Sequence, residues 1–246
     1  MISPKSVTFG VRASALAAAI LLIPAAHADL VLLGTDYFQT VPPTFFGATT
    51  LTGSPIGPGL TDTIVQRKAD CSLTLATAGS KCTIPIELVA LSLVDITNPL
   101  FRLRESPTLA SIGMMTITSN GSGTGGTFAS LFPDIFIELS VDGGKNFFDP
   151  RIHVDLVSRD TPWTILEPSL HVDGLRGDQN ANRHTDKGSC RTPHCVDFYL
   201  VGFLSEESLN ATHTVQPAVA IPEPASWGLL GIALAALGWA RRRSRR

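Results

Sequence analysis

Apolar and polar residues alternate along much of the chain with a period of two residues. The clearest examples are residues 135–141, which read IFIELSV, and residues 152–156, which read IHVDL. Alternation of this kind predicts β-strands that turn one face toward a core and the other toward solvent. These two runs are expected to pair as a hairpin.

Further strands are predicted at residues 83–94, 114–118, 196–204 and 212–219. No segment between residues 29 and 220 shows a helical apolar period over three turns, and the 21 Gly and 17 Pro of the chain interrupt it too often for long helices. The pattern predicts one mainly β domain over residues 29–220, an antiparallel β-sandwich with long irregular loops.

The N-terminus has the three parts of a secretory signal peptide. Lys5 and Arg12 supply positive charge, residues 13–25 are apolar, and Ala26-His27-Ala28 has the small-x-small form of a cleavage site. Residues 1–28 are therefore predicted to be removed, so that the mature protein begins at Asp29.

The C-terminus also has three parts in a fixed order. Residues 221–224 read Ile221, Pro222, Glu223 and Pro224, residues 225–240 are apolar, and residues 241–246 contain five arginines. The two prolines favour an extended peptide that a protease can reach, the apolar run predicts a transmembrane helix, and the arginines hold the end on the cytoplasmic side. An ordinary tail anchor is the alternative interpretation.

This tail resembles the PEP-CTERM sorting signal of Gram-negative bacteria, in which Val most often precedes Pro-Glu-Pro where this chain has Ile221. The resemblance implies that residues 221–246 are recognised and processed by exosortase. Together with the signal peptide it predicts export through the inner membrane by the Sec translocon and signal peptidase, a transient C-terminal anchor, and a final location at the cell surface or outside the cell. The resemblance also implies a role in exopolysaccharide or biofilm.

The charge is unevenly distributed between the termini and the exported domain. Seven of the 19 Lys and Arg residues and one of the 21 acidic residues lie in residues 1–28 and 221–246, so residues 29–220 carry 12 basic and 20 acidic side chains, a formal charge of −8. A surface of this sign does not attract nucleic acid or anionic polymers, and it favours cations, cationic partners or solubility alone.

Four cysteines form two close pairs, Cys71 with Cys82 and Cys190 with Cys195. In an exported chain two local disulfides are the expected state, although other connectivities remain open. A metal site of Cys190, His194 and Cys195 with His184 is the competing interpretation, and export together with the lack of CxxC spacing argues against it.

Residues 173–194 form a polar stretch that is predicted to be a long loop. Within it Asp178, Asn180, Asn182 and Asp186 have the spacing of oxygen ligands in calcium-binding loops, with Asp173 as a substitute ligand. Arg183 and Ser189 occupy positions where such a loop has Gly and Glu. Calcium is thus the one cofactor suggested by the sequence, and the alternative is a solvated loop pinned by a Cys190–Cys195 disulfide.

Residues 140–147, SVDGGKNF, fit the Asp-box pattern S-x-D-x-G-x-N-F. The carboxylate of Asp142 can accept backbone N–H bonds across the turn, and the glycines can adopt positive φ. We interpret the motif as a structural turn, because a single copy does not predict a repeat fold.

No motif of a known catalytic site occurs, and neither a G-x-S-x-G elbow nor an H-E-x-x-H pair is present. His153, His171 and His213 have no motif around them. The chain is therefore expected to be non-enzymatic. The alternatives are a calcium- or carbohydrate-binding module and a secreted hydrolase. The module would need Trp163 and Tyr199 exposed for stacking on sugar rings, although core or loop packing is the simpler interpretation of both.

Overall fold

The computed structural model of the chain describes residues 28–166 and 195–219, and the regular structure of these residues is β-sheet without a helix. The strands in chain order are β1 (Asp29–Val31), β2 (Gly34–Thr40), β3 (Thr44–Phe46), β4 (Thr49–Gly53), β5 (Thr63–Arg67), β6 (Cys71–Leu73), β7 (Lys81–Asp95), β8 (Arg102–Glu105), β9 (Ser111–Ser119), β10 (Gly125–Ser140), β11 (His153–Val157), β12 (Thr161–Thr164), β13 (Cys195–Val196), β14 (Tyr199–Leu200), β15 (Leu204–Glu207) and β16 (Ala211–Pro217). The prediction of a mainly β domain is confirmed.

The alternating runs form the predicted hairpin, since β10 and β11 are antiparallel and Ile135 pairs with Val154. The strands predicted at 83–94, 114–118 and 212–219 lie mostly within β7, β9 and β16. The single strand predicted at 196–204 is wrong. Gly202 has a φ of +84°, a conformation that a strand cannot continue through, and the segment is divided among β13, β14 and the start of β15.

The predicted sandwich is also wrong, because the main sheet closes on itself as an eight-stranded antiparallel barrel. Each strand pairs with the next in the order β7, β9, β10, β11, β15, β16, β2 and β5, and β5 pairs again with β7. A sandwich would leave sheet edges, whereas this circuit gives every strand of the wall two neighbours.

Two long strands and two β-bulges or register shifts account for the closure of the sheet into a barrel. β7 has 15 residues and β10 has 16, and the register shifts between Ile64 and Val65 against β7 and between Phe132 and Ile135 against β11. Bulges bend and coil a sheet, which brings its first and last strands together. Alternation in the sequence does not carry this information, because it is the same in a sandwich and in a barrel.

At two places around the barrel, one strand forms the wall near one end and a different strand forms it near the other end. β9 lies between the first halves of β7 and β10, and β8 occupies the same position between their second halves. On the other side, the β3–β4 hairpin connects β16 to β7 where β2 and β5 end.

A second sheet of β13, β1 and β6 is joined to the barrel by the Cys71–Cys82 disulfide, which links β6 to β7. This predicted disulfide is confirmed. Cys195 in β13 is also disulfide-bonded, while its predicted partner Cys190 lies outside the described residues.

Apolar side chains from all parts of the wall fill the barrel, with Phe128, Phe132 and Ile117 among those almost fully buried. No helix in the described ranges is long and apolar enough to cross a membrane. The transmembrane helix predicted at 225–240 lies outside these ranges, as do the signal peptide residues 1–27.

Candidate functional site

The first and last strands of the described structure lie beside the predicted processing sites. β1 starts at Asp29, the predicted first residue of the mature chain, and its carboxylate accepts a hydrogen bond from the Leu75 amide at 3.0 Å. At the other end the Leu60 amide donates to the Val219 carbonyl at 3.1 Å. Ala26 and the motif residues Ile221, Pro222, Glu223 and Pro224 lie outside the described residues, with the motif two residues beyond Val219.

Glu206 is a buried acid within the apolar barrel. Its side chain points inward, whereas those of its neighbours Ser205 and Glu207 on β15 point outward. The Ser130 hydroxyl donates a hydrogen bond to its Oε1 atom. The Ser158 hydroxyl lies 2.8 Å from that of Ser130 and bonds the Ser130 amide at 3.0 Å. Burial raises the pKa of Glu206 to about 7, against a smaller lowering by the Ser130 hydrogen bond.

His213 lies on β16 directly opposite Glu206 and also faces the interior. Its Nε2 atom is 3.3 Å from the hydroxyls of both Thr40 and Thr63. Each of these hydroxyls donates to Oδ1 of Asp62 at 2.7 Å, so their lone pairs face the histidine and Nε2 carries the hydrogen. Burial lowers the pKa of His213 to about 4 and raises that of Asp62.

These groups have the composition of an acid–base site but not its geometry. Ser130 contacts Glu206 rather than a histidine, and the adjoining cavity is about 50 Å³. Such a volume holds a few water molecules and is much smaller than the ~300 Å³ of the smaller ligand sites. The arrangement therefore serves to satisfy buried polar groups inside the wall.

The predicted Asp-box turn is present between β10 and residue Phe148. The amides of Lys145 and Asn146 each donate to Oδ1 of Asp142 at 3.0 Å, and the Asn146 side chain donates to Oδ2 at 2.7 Å. These bonds, led by the Asn146 amide, hold the pKa of Asp142 well below its usual value. The Ser140 hydroxyl accepts from the Gly144 amide at 2.9 Å, which completes the turn.

An outer groove of about 400 Å³ lies between β7, β8 and this turn. Arg102 and Arg104 project into its lining from β8, and Gly144 and Phe147 of the turn lie against them. The guanidinium of Arg104 stacks on the Phe147 ring, with Cζ 3.9 Å from the ring centre, and it is held by Glu138 at 2.6 Å. The turn is predicted by the sequence, whereas the two arginines beside it are not.

The aromatic residues predicted to stack on sugar rings do not have that role. Trp163 and Tyr199 are 2% and 6% exposed, and the Trp163 ring stacks on Phe198 with centroids 5.2 Å apart. The simpler interpretation of both as packing residues is confirmed, because Trp163 alternates inward on β12 and Tyr199 is buried on the paired strand β14.

The remaining sequence candidates divide between the surface and the undescribed segments. His153 is exposed on the outer face of β11, as predicted, and its Nδ1 atom lies 3.3 Å from Asp134. The calcium ligands Asp178, Asn180, Asn182 and Asp186 lie outside the described residues, so calcium binding there stays a prediction. Residues 28–166 and 195–219 contain no group of three His, Cys, Asp or Glu side chains arranged to hold a metal.

Comparison with known proteins identifies the tail. The model of the PEP-CTERM protein-sorting motif matches residues 220–244, which contain the Pro-Glu-Pro sequence, the apolar run and three of the arginines. No curated protein and no solved structure matches the chain. The motif indicates an exported protein that is sorted and processed by exosortase.

Proposed function

We propose that this chain, which carries a PEP-CTERM sorting motif, is a non-enzymatic protein of the cell surface or extracellular matrix, associated with exopolysaccharide or biofilm. The motif at residues 220–244 is the observation that carries the proposal. The Sec translocon and signal peptidase release the N-terminus at Asp29, and exosortase acts on the C-terminus near Pro222, Glu223 and Pro224.

The dimensions of the tail support a temporary anchor. Residues 225–240 as a helix would extend about 24 Å, which is less than the ~30 Å of a hydrocarbon core. The arginines of residues 241–246 can extend toward the interface, and the extended motif can supply the remaining length. A short anchor of this kind suits transfer to a processing enzyme better than permanent residence.

The position of the motif supports cleavage without loss of the domain. The last strand, β16, pairs with β15 and β2 in the barrel wall and ends at Pro217. Val219 is held by hydrogen bonds to Leu60 and to the side chain of Gln39. A cut at residues 222–224 would therefore remove no strand of the barrel.

The interior of the barrel supports a passive role. Glu206, His213 and Asp62 are the buried acid and base groups of the cavity region, and each bonds neighbouring hydroxyls around a volume of about 50 Å³. A substrate has no room there. The exported domain would then act through its outer surface.

The test compares tail variants in cells that contain exosortase. Replacement of Pro222, Glu223 and Pro224 together by alanine should leave the full-length chain in the inner membrane, whereas Ile221→Val should be processed like the wild type. Immunoblots of membrane, surface and medium fractions would follow both termini. Equal release of the triple-alanine variant would contradict the proposal.

A further inference from the structure

The outer groove contains an arginine whose side chain forms no ion pair within the part of the chain that the structure describes. The Arg102 side chain makes no ion pair or hydrogen bond with any other described residue, and its Nε atom is buried without a hydrogen-bond partner. Burying an N–H group without an acceptor destabilises the protein, because the group loses its hydrogen bond to water and gains none in return. An anion in the groove would supply acceptors for this guanidinium.

The Asp-box turn fixes the position of Arg102. Gly144 has a φ of +88°, and a Cβ atom at this position would lie 3.1 Å from Cδ of Arg102. The aliphatic part of the Arg102 side chain therefore packs directly on the Gly144 backbone, and a larger residue at position 144 would displace the arginine. In the barrel wall, Arg102 is paired with Val94 on one side and Ser140, the first residue of the turn, on the other.

Arg104 provides a second, pre-oriented donor group two residues further along β8. Its Nε and Nη2 atoms bond Oε2 of Glu138 at 2.9 and 2.6 Å, and Phe147 covers one face of the guanidinium. Nη1 is left as a donor that none of the described residues accepts. Its side chain is 41% exposed, so a ligand can reach it from solvent.

The other walls of the groove limit the kind of anion that fits. Ile56 and Val89 are 50% and 45% exposed and form an apolar wall. Glu105 also lines the groove, and burial raises its pKa to about 7, so that its carboxyl opposes an anion less than an ordinary carboxylate would. The formal charge of −8 over residues 29–220 disfavours any densely charged anionic polymer, so that the groove suits a ligand with a single carboxylate.

From these features we infer that the groove binds a sugar acid, with its carboxylate on Arg102 and Arg104 and the C–H face of its ring against Ile56 and Val89. Arginine binds carboxylates through two parallel hydrogen bonds, and a sugar ring offers one carboxylate together with an apolar face. The volume of about 400 Å³ lies within the ~300–1,000 Å³ range of small-molecule sites. The inference names the ligand class for the proposed matrix role and depends on that proposal only for its biological setting.

The experiment titrates the protein, purified from cells that export it, with D-glucuronate, D-glucose and inorganic phosphate at constant ionic strength. Binding is followed by calorimetry and by NMR shifts of the Gly143 and Gly144 amides. We expect glucuronate to bind and to shift these amides, and glucose and phosphate to bind at least 10-fold more weakly. Equal or tighter binding of phosphate or glucose would overturn the inference, as would no binding of glucuronate.

Two variants locate the site. Arg102→Gln should weaken glucuronate binding at least 10-fold, and Arg102→Lys should weaken it less because the charge remains. Arg159→Gln makes the same charge change at an exposed position between β11 and β12, and should bind like the wild type. Unchanged affinity in Arg102→Gln, with melting showing that it is folded, would contradict the assigned position. Processing of the tail is measured separately. A protein that is cleaved but does not bind glucuronate would overturn this inference alone. A protein that binds glucuronate but is not cleaved would overturn the sorting proposal alone.

Discussion

Glu206 and His213 face each other across β15 and β16 inside the barrel, and burial moves their pKa values past one another. The pKa of the acid is raised to about 7 and that of the base is lowered to about 4. Near neutral pH the histidine is therefore uncharged and the glutamate is partly protonated. The two residues form opposed polar positions in the wall rather than an ion pair.

Replacing Glu206 by Gln should change how stability depends on pH. The folded state holds the Glu206 proton more tightly than the unfolded state, so the protonated side chain contributes to the free energy of unfolding. This contribution is fully present below pH 4.5 and is lost as the pH rises through 7. Gln keeps an acceptor for the Ser130 hydroxyl and has no proton to lose. Relative to the wild type, the variant should gain about 3 kcal/mol of unfolding free energy between pH 4.5 and 8.

Urea unfolding across this pH range measures the effect. Glu207→Gln is the matched control, because Glu207 is the next residue of β15 and lies exposed on the outer face. Its curve should run parallel to that of the wild type. A Glu206→Gln curve that is also parallel would show that the carboxyl does not titrate as its burial implies.

His213 should act in the opposite direction and at lower pH. Its pKa is lower in the folded than in the unfolded state, so its contribution is present above pH 6.5 and is lost as the pH falls through 4. In wild type, protonation of His213 should lower the free energy of unfolding by about 3 kcal/mol as the pH falls, and His213→Gln should remove this decrease. The glutamine side chain still offers an N–H group to Thr40 and Thr63. His153→Gln, on the exposed face of β11, is the control, and an acid loss that persists in His213→Gln would disprove the assignment.

The periodicity of the sequence determines which residues face inward but not how the sheet closes. The hairpin of Ile135 and Val154 follows from two adjacent alternating runs, and a turn fitting the Asp-box connects them. The pairing of Val215 with Thr40 joins residues far apart in the chain, and nothing local in the sequence specifies it. A barrel and a sandwich use the same alternation, so the choice between them depends on such long-range pairs.

Alternation along a strand places some of the buried polar side chains but not the groove arginines. Glu206 is two residues from Leu204, and His213 lies between Ala211 and Val215, so alternation alone places both side chains toward the core. For Glu206 this signal was missed because the strand is predicted to end at residue 204, whereas His213 lies within the predicted strand 212–219 but has no sequence motif around it. Arg102 has no comparable signal, because its importance arises from contact with Gly144 and from the absence of a partner among the described residues.

Arg67 should be one of the most sensitive positions for stability. It is fully buried, bonds Asp36 at 2.9 Å and lies 4.9 Å from the centre of the Phe198 ring. Arg67→Met would leave the Asp36 carboxylate buried without this partner, and we expect a loss of about 3–5 kcal/mol. Replacing both residues by apolar ones, as in Arg67→Met with Asp36→Leu, should restore much of the loss.

The control for Arg67 is an ion pair at the surface. Lys68 and Glu87 are 41% and 27% exposed and lie 2.7 Å apart, so Lys68→Met should cost at most about 1 kcal/mol. Denaturant unfolding compares the variants. Equal losses at Arg67 and Lys68 would show that burial of the Arg67 pair is not what makes it important.

Tryptophan fluorescence should report removal of the tail. Of the three tryptophans, Trp227 and Trp239 lie in residues 225–240, and Trp163 is 2% exposed within the barrel. The exported protein should therefore show the emission of a single buried tryptophan, with little quenching by acrylamide. Trp163→Phe should abolish the emission of the exported form and leave that of the full-length chain in the membrane. Remaining tryptophan emission from exported Trp163→Phe protein would show that the tail was retained.

Intact mass spectrometry of the protein released from exosortase-bearing cells tests sorting and export most directly, because one spectrum reports both ends of the chain. The account predicts a species that begins at Asp29 and ends within or next to residues 222–224, with one or more disulfides including Cys71–Cys82. A stable inner-membrane species that retains residues 225–246, with no shorter form at the surface or in the medium, would contradict it.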